Sequence, residues 1–483
     1  MTTTPEQTQL YGGWRRSRSM GIGMLNTTQT GIVVGCVLLP LLAGNTLGWS
    51  TLPVTAPIAV VVTILACWQV HGMPLLDLAA ARFRWQIASF RGETSFRGQF
   101  LQHPKALDLP GVAAPTALLR VEDSAGPRAG RAGLVWNQAT GKMAASYLLA
   151  SNGALLANRA QVDSNVMAWG NAIAGLANEA AVDAATLTLQ ITPSTGAAMA
   201  DHVLGRMDKA APALATATAR ELVASAPRAS SSLAAWFTLV VSPGRGADKP
   251  TSPAEAAAET LRTLDGVDLL GAGADVVRRC TDTDILRLVL GAFRPADADA
   301  PESEMRSLTW DEAGPVAAED GWTTYHHDSA VSMSYVLREA PRKPITYDVL
   351  LPLLSPGQYP RRVTLGYRVL STPEAAGVVE RELNASDARE QYRRRSQRTT
   401  TRRERADAAA AERTAEEEAY GAGLVQWTIS ITVTVPEGGD IKGAQREIDT
   451  AARRSGGLRF RPAFGGQAAA FVYGLPVGIH PLA

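Results

Sequence analysis

The stretch that decides this chain is Ser19–Leu76, SMGIGMLNTTQTGIVVGCVLLPLLAGNTLGWSTLPVTAPIAVVVTILACWQVHGMPLL. It contains no Asp, Glu, Lys or Arg, yet Arg15, Arg16 and Arg18 precede it and Arg82, Arg84, Arg91 and Arg97 follow it. Inside lie two apolar runs, Gly31–Gly44 continued by Leu47–Trp49, and Leu52–Val70. Each approaches the roughly 20 residues that a helix needs to cross a bilayer core. The turn Asn45–Pro53 is too short to be a domain, so residues 28–71 are expected to form a transmembrane helical hairpin.

Lys and Arg flanking membrane helices stay on the cytoplasmic side. The N-terminal segment 1–27 and everything after the hairpin are therefore expected in the cytoplasm, in a multi-pass protein of the inner (plasma) membrane. A cleaved signal peptide fits poorly, because a second apolar run follows the first at once and no clear A-x-A site is present. Trp49 and Trp68 fall near the ends of the runs, where interfacial aromatics sit, and Pro40 and Pro57 allow a kink. Only three cysteines occur, Cys36, Cys67 and Cys280, which offer neither a disulfide framework nor a zinc spacing.

A net charge of +1 on 483 residues makes no global case for nucleic acid. Residues 72–104 read as a basic juxtamembrane helix. Leu75, Leu76, Leu78, Phe83, Trp85, Ile87 and Phe90 alternate there with Asp77, Arg82, Arg84 and Arg91, a pattern suited to lying against headgroups. A first cytoplasmic α/β domain is expected over 105–294, a linker over 295–305 and a second α/β domain over 306–483. Strands are expected at 116–121, 132–136, 143–150, 186–192, 235–241, 330–338, 361–369 and 424–435. Helices are expected at 162–177, 214–224, 282–293 and 441–454, with a long charged helix over 373–420. The strand at 424–435 is the clearest, with Ile429, Ile431, Val433 and Val435 on one face and Thr428, Ser430, Thr432 and Thr434 on the other. The expected class is membrane-anchored α+β, and no repeat is visible at periods of 20–50 residues.

Motifs for chemistry are missing or incomplete. No G-x-x-x-x-G-K-[ST] loop occurs; the nearest cluster, Gly244-Arg-Gly246-Ala-Asp-Lys249, has the wrong spacing and is followed by Pro250. Gly271-Ala-Gly273 lacks the third glycine of a dinucleotide site. His326-His327-Asp328 is the one paired histidine cluster, but neighbours on an extended segment point to opposite faces and rarely share a metal. Ser329 and Ser332 lie nearby without a G-x-S-x-G elbow. No catalytic, cofactor-binding or metal-binding residue is assigned, and the chain is expected not to be an enzyme. The basic block Arg393, Arg394, Arg395, Arg398, Arg402, Arg403 and Arg405 can contact DNA phosphates or anionic lipid. Interleaved Glu390, Glu404, Asp407 and Glu412 favour a solvated, partner-facing helix.

Several blocks resemble a known family. They are Tyr11-Gly-Gly-Trp14-Arg-Arg16, Gly72–Asp77 with Arg82 and Trp85, Leu134-Val-Trp136 and Ala313-Gly-Pro315 through Glu319. Trp322, Tyr325, His327-Asp328-Ser329, Glu339-Ala-Pro341-Arg342 and Tyr359-Pro-Arg-Arg362-Val-Thr-Leu365 complete the pattern. Together they resemble actinobacterial integral membrane proteins found with type IV secretion and conjugation genes, whose membrane N-terminus is PrgI-like. The stretch Gly465-Gly-Gln467 to Leu475-Pro476 is similar to the end of the non-ATPase N-terminal module of the large secretion ATPase. The resemblance implies a structural inner-membrane component that anchors a separate secretion ATPase and meets other inner-membrane subunits in an oligomeric assembly. Three rivals remain at this point: a type VII secretion core component, a membrane-anchored enzyme using His327 and Asp328, and a membrane-anchored DNA-binding protein using Arg393, Arg394, Arg395, Arg402 and Arg403.

Overall fold

A computed structural model describes residues 27–98, 109–123, 130–151, 158–193, 203, 205–208, 211–225, 231–245, 250, 252–269, 272–298, 300–340, 345–395, 416 and 423–480. The chain divides into two compact units, one of 13–91 with 372–422, the other of 1–12, 92–371 and 423–483.

In the first unit, α1 (Thr27–Leu47) and α2 (Leu52–Cys67) form an antiparallel pair joined by a single turn at Trp49–Thr51. Both are long and apolar enough to cross a membrane, as the charge-free stretch predicted. A two-residue hairpin, β1 (Gln69–Val70) and β2 (Met73–Pro74), then reverses the chain into α3 (Leu75–Phe90). Its turn places His71 at φ 50° and Gly72 at φ 76°, the doubly left-handed pattern of a type I′ turn. The same unit holds the long charged helix, described over Thr372–Arg395; the rest of the expected 373–420 helix lies outside the described residues, apart from Glu416.

The second unit is built on one antiparallel sheet. Its elements are β3 (Ser95–Arg97), β4 (Thr116–Asp123), β5 (Gly130–Asn137), β6 (Met143–Ser151), α4 (Arg159–Gly175), β7 (Val182–Pro193), α5 (Ala213–Ser225), β8 (Ser231–Val241), α6 (Pro253–Asp265), β9 (Ala274–Arg279) and α7 (Asp282–Phe293). They continue as α8 (Glu302–Ser307), β10 (Ala317–Asp320), β11 (Tyr325–His327), β12 (Ala330–Glu339), α9 (Leu351–Leu354), β13 (Arg361–Val369), β14 (Val425–Pro436), α10 (Ile441–Arg454), β15 (Arg459–Pro462) and α11 (Gln467–Tyr473). The strand order is β3-β10-β11-β12-β14-β13-β7-β8-β6-β5-β4, with β15 also on β12 and β9 also on β6. Residues 105–294 and 306–483, expected as two domains, thus supply the two halves of a single sheet.

The halves share one topology. Chain order β4-β5-β6-β7-β8-β9 gives spatial order β4-β5-β6-β8-β7, with β9 on β6; chain order β10-β11-β12-β13-β14-β15 gives β10-β11-β12-β14-β13, with β15 on β12. A helix follows β8 and β9 in the first half, and β14 and β15 in the second. Registers match as well. Ser146 pairs with Thr238 and Tyr147 with Phe237, while Ser334 pairs with Thr432 and Tyr335 with Ile431. Ser146-Tyr147-Leu148-Leu149 is echoed by Ser334-Tyr335-Val336-Leu337, and Leu187-Thr188-Leu189 by Val363-Thr364-Leu365. The halves join through β7 and β13, where Thr188 faces Thr364 on a pseudo-twofold axis. This duplication is far longer than the repeat periods expected for solenoids, so a window of 20–50 residues passes over it.

Strand alternation sends apolar residues to both faces. On one face Tyr147, Phe237, Leu239 and Leu264 form a core under α4 and α6. Met333, Ile431, Val433 and Ile448 form its counterpart under α9 and α10. The opposite face carries a third core in which Val135 and Ala144 from one half join Ala318 and Tyr325 from the other through α7 and α11. Strands far apart in the sheet order share this core, so the sheet curls around the two helices. Phe293 and Phe471 meet there with ring centroids 4.9 Å apart. Close approaches demand glycine at two points. A Cβ on Gly133 would lie 2.6 Å from the Asp282 amide, and one on Gly366 would overlap the Tyr473 hydroxyl.

Candidate functional site

Among the described residues, exposed large apolar side chains concentrate in the hairpin. Leu39 is 66% exposed, Val54 65% and Ile58 59%, whereas Gln29 is buried and donates Nε2–H to the Ala66 carbonyl at 2.7 Å. A polar side chain turned inward and aliphatic ones turned outward invert the pattern of a water-soluble helix pair. The exit helix α3 contributes no buried residue of its own.

In the curled sheet the His326-His327-Asp328 cluster splits, as alternation requires. His326 faces outward with Nε2 3.3 Å from the Thr324 hydroxyl, and His327 faces inward, 1% exposed. His327 Nδ1 lies 2.7 Å from the Phe293 carbonyl, which only accepts, so Nδ1 carries the proton. Nε2 then accepts from Ser332 Oγ at 2.8 Å, and Ser332 Oγ accepts from Thr434 Oγ1 at 2.8 Å. Burial drives the His327 pKa down to about 4, opposed by the Phe293 bond and reinforced by Arg362 and His326. Asp328 takes no part. At φ 44° it accepts from the Val316 and Ala317 amides at 2.8 and 3.1 Å.

A serine hydroxyl on a neutral imidazole is the geometry that nucleophilic catalysis uses. Here Ser332 and His327 are both sealed from solvent, and the position of an orienting carboxylate is held by a backbone carbonyl. The arrangement satisfies buried polar groups where two halves meet. Sequence proximity alone does not distinguish it from a reactive pair, because access is decided by α7 and α11.

The other charged groups resolve into braces. Arg279, nearly buried, joins Asp123 at 2.7 Å and also Asp265, which accepts from Tyr147 Oη at 2.7 Å. Asp282 receives Arg120 at 2.7 Å and Arg131 at 3.4 Å. At the start of the Gly244–Lys249 loop, Arg245 and Ser242 both engage Asp183, with Lys142 at 3.1 Å; residues 246–249 lie outside the described ones. Gly273, at φ 73°, sits against Asn165, and Gly271 lies outside the described residues. Burial pushes the Cys280 thiol up to about 12, leaving it protonated and unreactive.

Arg362, named in the sequence only within a family-like block and given no role there, is a deeply buried charge. It is 4% exposed, and among the described residues no carboxylate pairs with it. Its guanidinium lies 4.5 Å from the centroid of the Phe471 ring and donates to the Phe471 carbonyl at 3.2 Å. The ring face and a helix C-terminal carbonyl offset the buried charge, and desolvation still pulls its pKa down to about 9. The alternation of Arg361-Arg362 in an apolar strand was the one signal available.

Among the described residues no three His, Cys, Asp or Glu side chains gather as a metal would need. Arg393, Arg394 and Arg395 fall at the end of the described charged helix, and Arg402 and Arg403 lie outside the described residues. No protein-family model matches the chain, and no curated protein matches it.

Proposed function

We propose that this chain is a structural inner-membrane component of a type IV (conjugative) secretion apparatus, anchoring and positioning a separate ATPase. The observation that carries the anchoring is the hairpin, with its outward aliphatic surface and inward Gln29. Such a surface is stable against hydrocarbon and costly in water. The assignment to secretion rests on the sequence blocks quoted above. A scaffold role is supported by the curled sheet, whose buried ionisable groups serve as internal braces. In this reading both the N-terminal segment and the sheet face the cytoplasm, where the motor is.

Affinity purification of the full chain from native membranes tests the whole proposal. A Walker-motif ATPase should co-purify from the detergent-solubilised fraction. Its absence, with the partner gene expressed, overturns the secretion reading; recovery in the soluble fraction without detergent overturns the anchoring. Salt-sensitive co-purification of DNA with the full chain, in place of an ATPase, would favour the DNA-binding alternative through the Arg393–Arg405 block.

A further inference from the structure

The exit helix α3 has two apolar faces, and only one is used. At roughly 100° per residue, Leu78, Ala81, Trp85 and Ala88 share one side, where all four are half-buried. Ala79, Ala80, Phe83, Ile87 and Phe90 fall within an arc of roughly 100° on the other side. There Phe83 is 63% exposed and Phe90 95%. Arg84 and Arg91 border this stripe on one flank and Arg82, stacked 4.6 Å over Trp85, on the other.

We propose that this outer stripe is an in-plane bilayer anchor, lying at the level of anionic headgroups with Phe83, Ile87 and Phe90 inserted. The inference rests on the membrane reading of the hairpin and adds a second attachment to it. Three observations select a lipid surface as the occupant. First, the chain between α2 and α3 is only the tight β1–β2 hairpin, so α3 begins where the second apolar helix ends. Second, the left-handed His71-Gly72 turn, backed by the Leu75 amide donating to the Trp68 carbonyl at 2.8 Å, reverses the chain there at once. Third, residues 72–98 carry four arginines (82, 84, 91 and 97) against two acids, Asp77 and Glu93, a charge balance that suits anionic headgroups.

Depth measurement on the full chain tests it. Cys36, Cys67 and Cys280 are replaced by alanine, and single cysteines are introduced by Leu39→Cys, Phe83→Cys, Ile87→Cys, Phe90→Cys and Arg446→Cys. Each is labelled with an environment-sensitive fluorophore. The protein is reconstituted in phosphatidylcholine–phosphatidylglycerol vesicles containing lipids brominated near the glycerol or near the chain end. Labels at 83, 87 and 90 should lose about twofold in fluorescence with shallow bromine and little with deep bromine. The label at 39 should respond most to deep bromine, and that at 446 to neither. Quenching at 39 with none at 83, 87 and 90 overturns the in-plane anchor while leaving the hairpin in the membrane. No quenching at 39 overturns the membrane reading itself. Should a cysteine in the stripe disturb folding, Arg84→Gln with Arg91→Gln gives a second reading, from a label at 87. It should lose quenching by about half relative to the arginine-bearing chain; unchanged quenching removes the anionic-lipid part.

Discussion

Ala144 faces Val240 on the inner side of the first half of the sheet, where the second half sets Ser332 against Thr434. Around the pseudo-twofold axis, Gln190 faces Arg362 and Thr186 faces Gly366. Gln190 and Gly366 therefore occupy matching positions, as do Thr186 and Arg362. The first half sets Ala144 and Val240 beside its buried Ser146–Thr238 pair and has a glutamine where the second half has a glycine. The second half is polar and hollowed, because Tyr473, His480 and α11 press into it. One plan has thus been packed twice. What differs is the chain that crosses the inside of the curl, which rests on Ala144 at Gly478 and on Gly366 near its end.

The sharpest way to break this contrast is to give the second half the first half's residue. Gly366→Gln puts a side chain where the Tyr473 hydroxyl and His480 imidazole lie. The full chain in detergent should lose more than about 3 kcal/mol, read by the thermal unfolding of its tryptophan signal. The reverse change, Gln190→Gly, should cost only about 1 kcal/mol. Equal losses would show that the crossing chain does not distinguish the halves.

Acid should act almost as strongly. His327 and His480 both have pKa values pushed down to about 4, burial being the largest cause. Unfolded, each binds a proton below about 6.5, but folded only below about 4. Unfolding therefore takes up protons between these limits, and stability falls as pH drops from 6.5 to 4, by about 3 kcal/mol per histidine. His327→Asn should flatten that slope by about half in a denaturation series across this range. A profile unchanged by the substitution would mean that His327 is not held neutral.

The duplicated hydroxyl pairs, Ser146 with Thr238 at 2.8 Å and Ser334 with Thr432 at 2.9 Å, allow the subtlest comparison within the sheet. Ser146→Ala and Ser334→Ala should each cost about 1–2 kcal/mol, because a buried threonine hydroxyl loses its partner. Adding Thr238→Val or Thr432→Val should recover much of the loss, equally in both halves. Unequal recovery in calorimetry would mark the second pair as coupled to its polar surroundings. Outside the sheet, Gln29→Leu should weaken pairing of α1 and α2 by no more than about 1 kcal/mol, measured as susceptibility of the hairpin to detergent unfolding.

Much of this fold was legible locally. The apolar helices, the strands at 143–151, 361–369 and 425–436 and the helix at 282–293 follow from run length and periodicity. Short elements escaped. The strands at 274–279, 317–320, 325–327 and 459–462 are too brief for a period-2 signal and exist because long neighbours pair with them. At the candidate site, the splitting of His326 from His327 was readable from alternation, and the Ser332–His327 bond was not.

The alternation in Val425–Pro436 shows where the boundary lies. Composition and spacing alone assign Ile429, Ile431, Val433 and Val435 to one face and Ser430, Thr432 and Thr434 to the other. They likewise mark two stretches within 27–67 as long and apolar enough to cross a membrane, since composition and length suffice for both inferences. The burial of the hydroxyl face, the place of Arg362 beneath an aromatic ring and the repeat of one topology by two distant stretches arise when strands and helices pack together. The reason is physical. A hydroxyl is equally at home in water or beside another hydroxyl, so its burial is set by which strands and helices close over it.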